Sequence, residues 1–173
     1  MSHLVLDGTL IATDRVAGIH VSSKGKEVDT WYSGKHRVFG ANVQFLAAPD
    51  GTPLWVSDAE PGSTDDIVAA REHCLAPLSE AAADGLPTLA DSGYQGPGTG
   101  VHHPFKKPAG SSHLRLHTDT QTYNALLRGL RALGERTAAE LKERWRALKR
   151  ITLSPCRIGD IARAALVLSG IWK

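Results

Sequence analysis

The run His3-Leu4-Val5-Leu6-Asp7-Gly8-Thr9-Leu10-Ile11 has the length and branched apolar content of a buried β-strand, yet it carries a carboxylate at its centre. A buried acid without a partner is costly as a charge, so the fold must deliver something cationic or hydrogen-bonding to Asp7. A divalent metal is the economical partner, because hard carboxylates are the ligands that Mg²⁺ prefers. The question is then which other acids the chain brings to the same place.

The 173 residues, 42% hydrophobic and 22% charged, fit one globular domain of α/β type spanning 1–173. No run of about 18 apolar residues is present, and the N-terminus lacks the pattern of a signal peptide, so the expectation is a cytoplasmic, nucleoid-associated protein with no membrane partner. Cys74 and Cys156 are far apart and outside any CxxC pair, which predicts buried or half-buried thiols in a reducing compartment. Zinc is poorly supported: His102 and His103 are adjacent, and His113 and His117 lack a thiolate or carboxylate at ligand spacing. The net charge of +2 hides a polarity. Residues 1–100 hold 6 basic and 13 acidic side chains, whereas residues 101–173 hold 14 and 5. Such asymmetry suits a polyanionic partner.

Along the chain, 37–46 and 54–57 read as second and third strands after a polar loop, forming a meander with the first. Pro61-Gly62-Ser63-Thr64-Asp65-Asp66 caps a helix that uses Ile67, Ala70, Cys74 and Leu78 and ends by Asp84-Gly85. A short strand, 86–90, delivers Asp91 into a glycine-rich turn, and another extended piece covers 100–108. A helix of about thirty residues starts near Thr120, and a last amphipathic helix uses Ile158, Ile161, Ala165, Leu168 and Ile171. Treated as one continuous helix, the long segment places Leu126, Leu130, Leu133, Leu141 and Leu148 on the face toward the sheet. Glu135 lies on the opposite side with Arg128, Arg131, Lys142, Arg146 and Lys149. Trp31, Trp55, Trp145 and Trp172 read as packing residues.

Asp7 on the first strand, Asp91 after the fourth and a glutamate on a later helix match the layout of a ribonuclease-H-like domain: a mixed sheet of about five strands flanked by helices. In that layout the first and fourth strands are neighbours, so Asp7 and Asp91 meet. The stretches Leu6-Asp7-Gly8-Thr9, Tyr32-Ser33-Gly34-Lys35-His36-Arg37, Pro61 to Asp66, Ala90-Asp91-Ser92-Gly93-Tyr94 and Arg131-Ala132-Leu133-Gly134-Glu135 followed by Lys142 occur in order. In this the chain resembles the catalytic domain of DDE transposases of the bacterial insertion-sequence-five type, related to the Harbinger elements. Arg131, Glu135 and Lys142 fit the family's Y(2)R(3)E(6)K signature, with Arg128 at the tyrosine position.

The resemblance implies that Asp7, Asp91 and Glu135 bind two Mg²⁺ ions, with Mn²⁺ as an alternative, and are catalytic. It implies that Arg131 and Lys142 contact DNA near the active site, and Arg128, Arg146, Lys106 and Lys107 are further DNA-contact candidates from the basic half. Asp66 is an auxiliary candidate that competes for the second aspartate, but capping and the helix dipole already explain an acid at a helix N-terminus, which favours Asp91. The implied function is nicking at transposon ends and strand transfer into target DNA, by a homo-oligomer on DNA. Because the chain begins just before the first catalytic strand, a downstream reading frame joined to an upstream-encoded DNA-binding region, or a truncated relic, is expected. The alternatives are a non-catalytic DNA-binding remnant and a ribonuclease-H-like nuclease with a cellular role.

Overall fold

The computed structural model describes residues 1–22, 25–107, 110 and 115–171, with the side chains of Glu135 and Ile171 excepted. His113, Pro108 and Trp172, which entered the sequence reading, lie outside the described residues, as do those two side chains. In chain order the strands are β1 (Leu4–Thr13), β2 (Ile19–Val21), β3 (Glu27–Asp29), β4 (Tyr32–Ser33), β5 (Val38–Ala47), β6 (Pro53–Val56) and β7 (Glu60–Pro61). Helices α1 (Asp66–His73) and α2 (Leu75–Ala83) follow, then β8 (Thr88–Leu89), β9 (Val101–His102), α3 (Thr118–Arg144), β10 (Arg150–Ile151) and α4 (Ile158–Ile171).

The main sheet runs β4-β5-β1-β8-β9, with β6 and β7 also on β5 and β10 on β1. β5 is antiparallel to both β1 and β6, whereas β8 is parallel to β1 and β9 parallel to β8. The path β6-β5-β1-β8-β9, with its single antiparallel strand beside β1, is the mixed sheet of a ribonuclease-H-like fold. The polar loop expected before the second strand instead holds the β2–β3 hairpin and β4, pieces too short for a periodic signal.

Side-chain alternation divides β1 and β5 between two cores. Leu4 and Leu6 pack with Ala70, Cys74, Leu78 and Tyr94 on the side of α1 and α2. Ile11, Val43 and Phe45 pack with Ala138, Leu141, Leu148, Ile158 and Ala162 on the side of α3 and α4. The single helix expected to end by Asp84-Gly85 is broken at Cys74 (φ −145°) into α1 and α2. Pro77 supplies the reason, since it has no N–H for the carbonyl of His73 and its ring clashes there. Cys74 is buried, as expected, but Cys156 is exposed, against the expectation, because it lies in the short 3₁₀ turn that leads into α4.

The long helix is rotated from the expected orientation. Its buried stripe is Leu127, Arg131, Gly134, Ala138 and Leu141, while Leu126, Leu130 and Leu133 are 64%, 52% and 49% exposed. Close approach to the sheet selects small residues: a Cβ at Gly134 would lie 2.6 Å from Val5 Cγ1. The helix also stops at Arg144, so Arg146, Leu148 and Lys149 belong to a 3₁₀ turn and the segment after it, off the helical wheel. In α4, Ile158 and Ala165 are buried as expected, but Leu168 is 40% exposed and Ala162 takes the inward position. No helix among the described residues is long and apolar enough to cross a membrane.

Candidate active site

The β1–β8 pairing sets the geometry of the acids. Leu4 pairs with Thr88 and Val5 with Leu89, an offset of 84 positions. The same offset, if carried two residues beyond Val5, would bring Asp7 level with Asp91, just past the end of β8. Along β1 the odd-numbered residues face α3: Val5 meets Gly134, and Thr9 accepts a 2.6 Å hydrogen bond from Lys142 Nζ, which also reaches Leu10 O at 3.2 Å. Asp7, between Val5 and Thr9, shares that face and is half-buried.

Position 135 on α3 can be located from its neighbours. It directly follows Gly134 on Val5, and it precedes Lys142 by two turns on the same flank of the helix. Seven residues of helix rise about 10 Å, equal to about three residues of strand, so position 135 lies level with Leu6 and Asp7. The wheel that set Glu135 opposite the sheet is thereby corrected: the position borders the buried stripe. Its side chain is outside the described residues.

The same rotation corrects the expected line of cations. Arg131 is buried (4% exposed) and Lys142 half-buried against β1, whereas Arg128, Arg146, Lys106 and Lys107 are exposed. Lys149 pairs with Glu143 at 2.5 Å. Burial pulls the Lys142 ammonium below its ordinary value of 10.5, with Asp7 opposing the shift. The unfolded chain therefore holds this proton more tightly, and stability should rise with pH between the lowered folded value and 10.5. Lys142→Met is expected to flatten that rise in urea-unfolding midpoints followed in that interval without divalent metal; identical pH slopes for variant and parent would refute the buried placement.

Asp66 is the residue whose surroundings the sequence concealed. It is the first residue of α1, and the preceding Asp65 makes no side-chain cap hydrogen bond. The Asp66 carboxylate accepts hydrogen bonds from Asn42 Nδ2 at 2.8 Å and Lys35 Nζ at 3.2 Å, so more than capping holds it. The even-numbered face of β1 makes room for it: a Cβ on Gly8 would lie 2.5 Å from Asp66 Oδ1. Gly93 has the same role beside Asp91, where a Cβ would come within 2.8 Å of Asp91 Oδ1 and 3.6 Å of Asp66 Oδ2. Both glycines are places where a carboxylate occupies the space of a side chain. Lys35 is positioned by the turn after β4, which closes through Arg37 in the left-handed conformation (φ 55°) with its N–H on Ser33 O.

Burial lowers the Lys35 pKa, but Asp66, with Asp91 and Asp7 behind it, outweighs that effect and leaves the ammonium raised above 10.5. All three aspartates therefore act on one cation from β1, α1 and the end of β8. Among the described residues, no group of three His, Cys, Asp or Glu is close enough to hold a metal ion. Asp7 and Asp91 are nonetheless hard oxygen donors in a negative field, the donor chemistry that fits Mg²⁺ or Mn²⁺.

No curated protein and no solved structure matches the chain. A family model described as DDE superfamily endonuclease matches residues 6–169, from the residue before Asp7 to the last turns of α4. With a match over nearly its whole length, on a ribonuclease-H-like sheet in which β1 pairs with β8, the chain belongs to the DDE superfamily endonucleases.

Proposed function

We propose that this domain is the catalytic part of an insertion-sequence-five-type transposase, which nicks DNA at transposon ends and joins the freed 3′-hydroxyl to target DNA. The observation that carries the reading is the parallel pairing of β1 with β8, with Asp7 two residues past Val5 on β1 and Asp91 two residues past its partner Leu89, within a chain of the DDE superfamily. Asp7, Asp91 and Glu135 would hold two Mg²⁺ ions, or Mn²⁺. When bound, such ions supply Lewis-acid stabilisation of an in-line displacement at phosphorus and favour the deprotonated nucleophile.

The protein's own contribution is placement and charge. Lys142 pins the β1 backbone next to Asp7 through Thr9 and Leu10, so the strand that presents the first acid is tied to the helix that presents Glu135. Arg128, Arg146, Lys106 and Lys107 are exposed and suited to phosphate contacts, which add affinity independent of sequence and sensitive to salt. Arg131 is buried in the stripe of α3 that faces the sheet, and Lys142 acts from a half-buried position near Asp7. DNA is the polymer substrate, and a homo-oligomer with an additional DNA-binding region would supply end recognition.

The test is a nicking and strand-transfer assay on end-containing DNA with Mg²⁺ or Mn²⁺, the recognition region supplied if needed. Metal-dependent 3′-hydroxyl ends followed by joined products are expected. No metal-dependent cleavage would leave the non-catalytic remnant as the better reading, and cutting of DNA or RNA indifferent to end sequence would favour a general ribonuclease-H-like nuclease.

A further inference from the structure

Behind the site, on the face of β1 opposite Asp7, four polar side chains form one continuous chain. Tyr94 OH donates to Gln44 Oε1 at 2.6 Å, Gln44 Nε2 donates to Asn42 Oδ1 at 2.9 Å, and Asn42 Nδ2 donates to Asp66 Oδ1 at 2.8 Å. Tyr94 and Gln44 are wholly buried and Asn42 is 6% exposed. An ionised carboxylate can only accept, so Asp66 fixes the direction of every link: the Asn42 amide must face it, which turns both amide oxygens toward the tyrosine end. Burial, reinforced by Asp66, Asp7 and Asp91, pushes the Tyr94 phenol far above its ordinary range, so it remains a donor at working pH.

Among the described residues, the hydrogen bonds of Asp91 are local. Its Oδ1 accepts from Gly93 N at 2.6 Å, and its carbonyl accepts from Tyr94 N at 3.2 Å. Tyr94 is the anchor of that turn, with its ring packed among the buried residues of the α1–α2 side and its hydroxyl on the central strand β5.

We infer that Tyr94, Gln44, Asn42 and Asp66 are positioning residues for the second aspartate: the chain ties the Asp91 turn to β5 and α1 and so sets where the Asp91 carboxylate sits. This rests on Asp91 being a metal ligand, and it gives Asp66 a role distinct from ligation. Supports of this kind are worth about 10- to 100-fold in metal affinity or activity.

The direct readout is Mn²⁺ binding to the full chain without DNA, followed by electron paramagnetic resonance well below the melting temperature. Wild type is expected to bind and Asp91→Asn to lose binding. Tyr94→Phe and Gln44→Met, which nearly keep the buried volume while breaking the first link and the first two links, should weaken binding by about 10-fold or more. The Mg²⁺ requirement of nicking should rise in parallel while KM for DNA stays constant. Asp66→Asn should weaken binding less than Asp91→Asn. Unchanged Mn²⁺ affinity in folded Tyr94→Phe and Gln44→Met overturns the inference, as does failure of both to fold, which would make the chain purely structural. Loss in Asp66→Asn as complete as in Asp91→Asn overturns it in favour of Asp66 as a ligand. Absence of binding by wild type, or full binding by Asp91→Asn, is a different failure: it removes Asp91 as a ligand and the inference with it.

Discussion

Asp7→Asn and Asp91→Asn are each expected to reduce metal-dependent nicking by about 10³-fold, the upper end of what losing one transition-state-stabilising group costs. Neither should destabilise the fold. Asparagine keeps the shape of aspartate, and at position 91 its amide oxygen can still accept from the Gly93 N–H. Each substitution relieves repulsion among the three aspartates but also gives up attraction for Lys35, and at Asp7 for Lys142, so the metal-free melting temperature should change little. Glu135→Gln belongs to the same series because Glu135 is the third member of the proposed ligand set. Activity assays paired with thermal melts separate the outcomes: persistent nicking in any of the three removes that residue from the catalytic set, whereas a large fall in melting temperature would identify it as structural.

Gly134→Ala should be the most damaging single methyl group in α3. Alanine is the better helix former by about 1 kcal/mol, so on helix propensity alone the change would stabilise. The packing reverses the sign. A Cβ at 134 would meet Val5 Cγ1 at 2.6 Å, Val5 Cβ at 2.7 Å and Val5 Cγ2 at 3.0 Å, and Val5 is itself buried in the central strand. Overpacking of this kind costs about 1–3 kcal/mol, and relief requires α3 to move away from β1. That movement would carry the neighbouring Glu135 away from Asp7, so nicking should fall further than stability alone explains. Gly129→Ala in the same helix is the control, because a Cβ there meets nothing within 4 Å. It should stabilise by up to about 1 kcal/mol with activity intact. Equal stability of the two variants by urea unfolding would show that α3 does not depend on close contact at Gly134.

The fold was legible where the signal was local and long. β1 and β5, the first two strands legible in the sequence, carry ten residues each, and their apolar patterns exceed what a loop would show. The short strands β2, β3, β4, β7 and β10 contain two or three residues apiece, fewer than any period needs. The helix break at Cys74 was readable in principle, since Pro77 four residues after His73 forbids one uninterrupted helix. The rotation of α3 was not readable from hydrophobicity. Leucines lie on both sides of α3, Leu127 and Leu141 buried and Leu126, Leu130 and Leu133 exposed, and the inward side is decided by the close approach of Gly134 to β1, with Arg131 buried in the same stripe.

For the candidate site, the sequence by itself determined the residue types. An acid inside an apolar strand requires a partner, a second acid at a strand's end can supply a shared ligand set, and the ordered motifs name the superfamily to which the chain belongs. Only the tertiary structure decided which acids share a neighbourhood and from which side. Asp7 and Asp91 come to act on the same Lys35 ammonium because parallel pairing of β1 and β8 fixes an 84-residue offset that no local pattern contains. Asp66 enters from the opposite face because Gly8 and Gly93 leave space that side chains would have filled. Register and close approach are properties of paired backbones, and they exist only once strands distant in sequence have met.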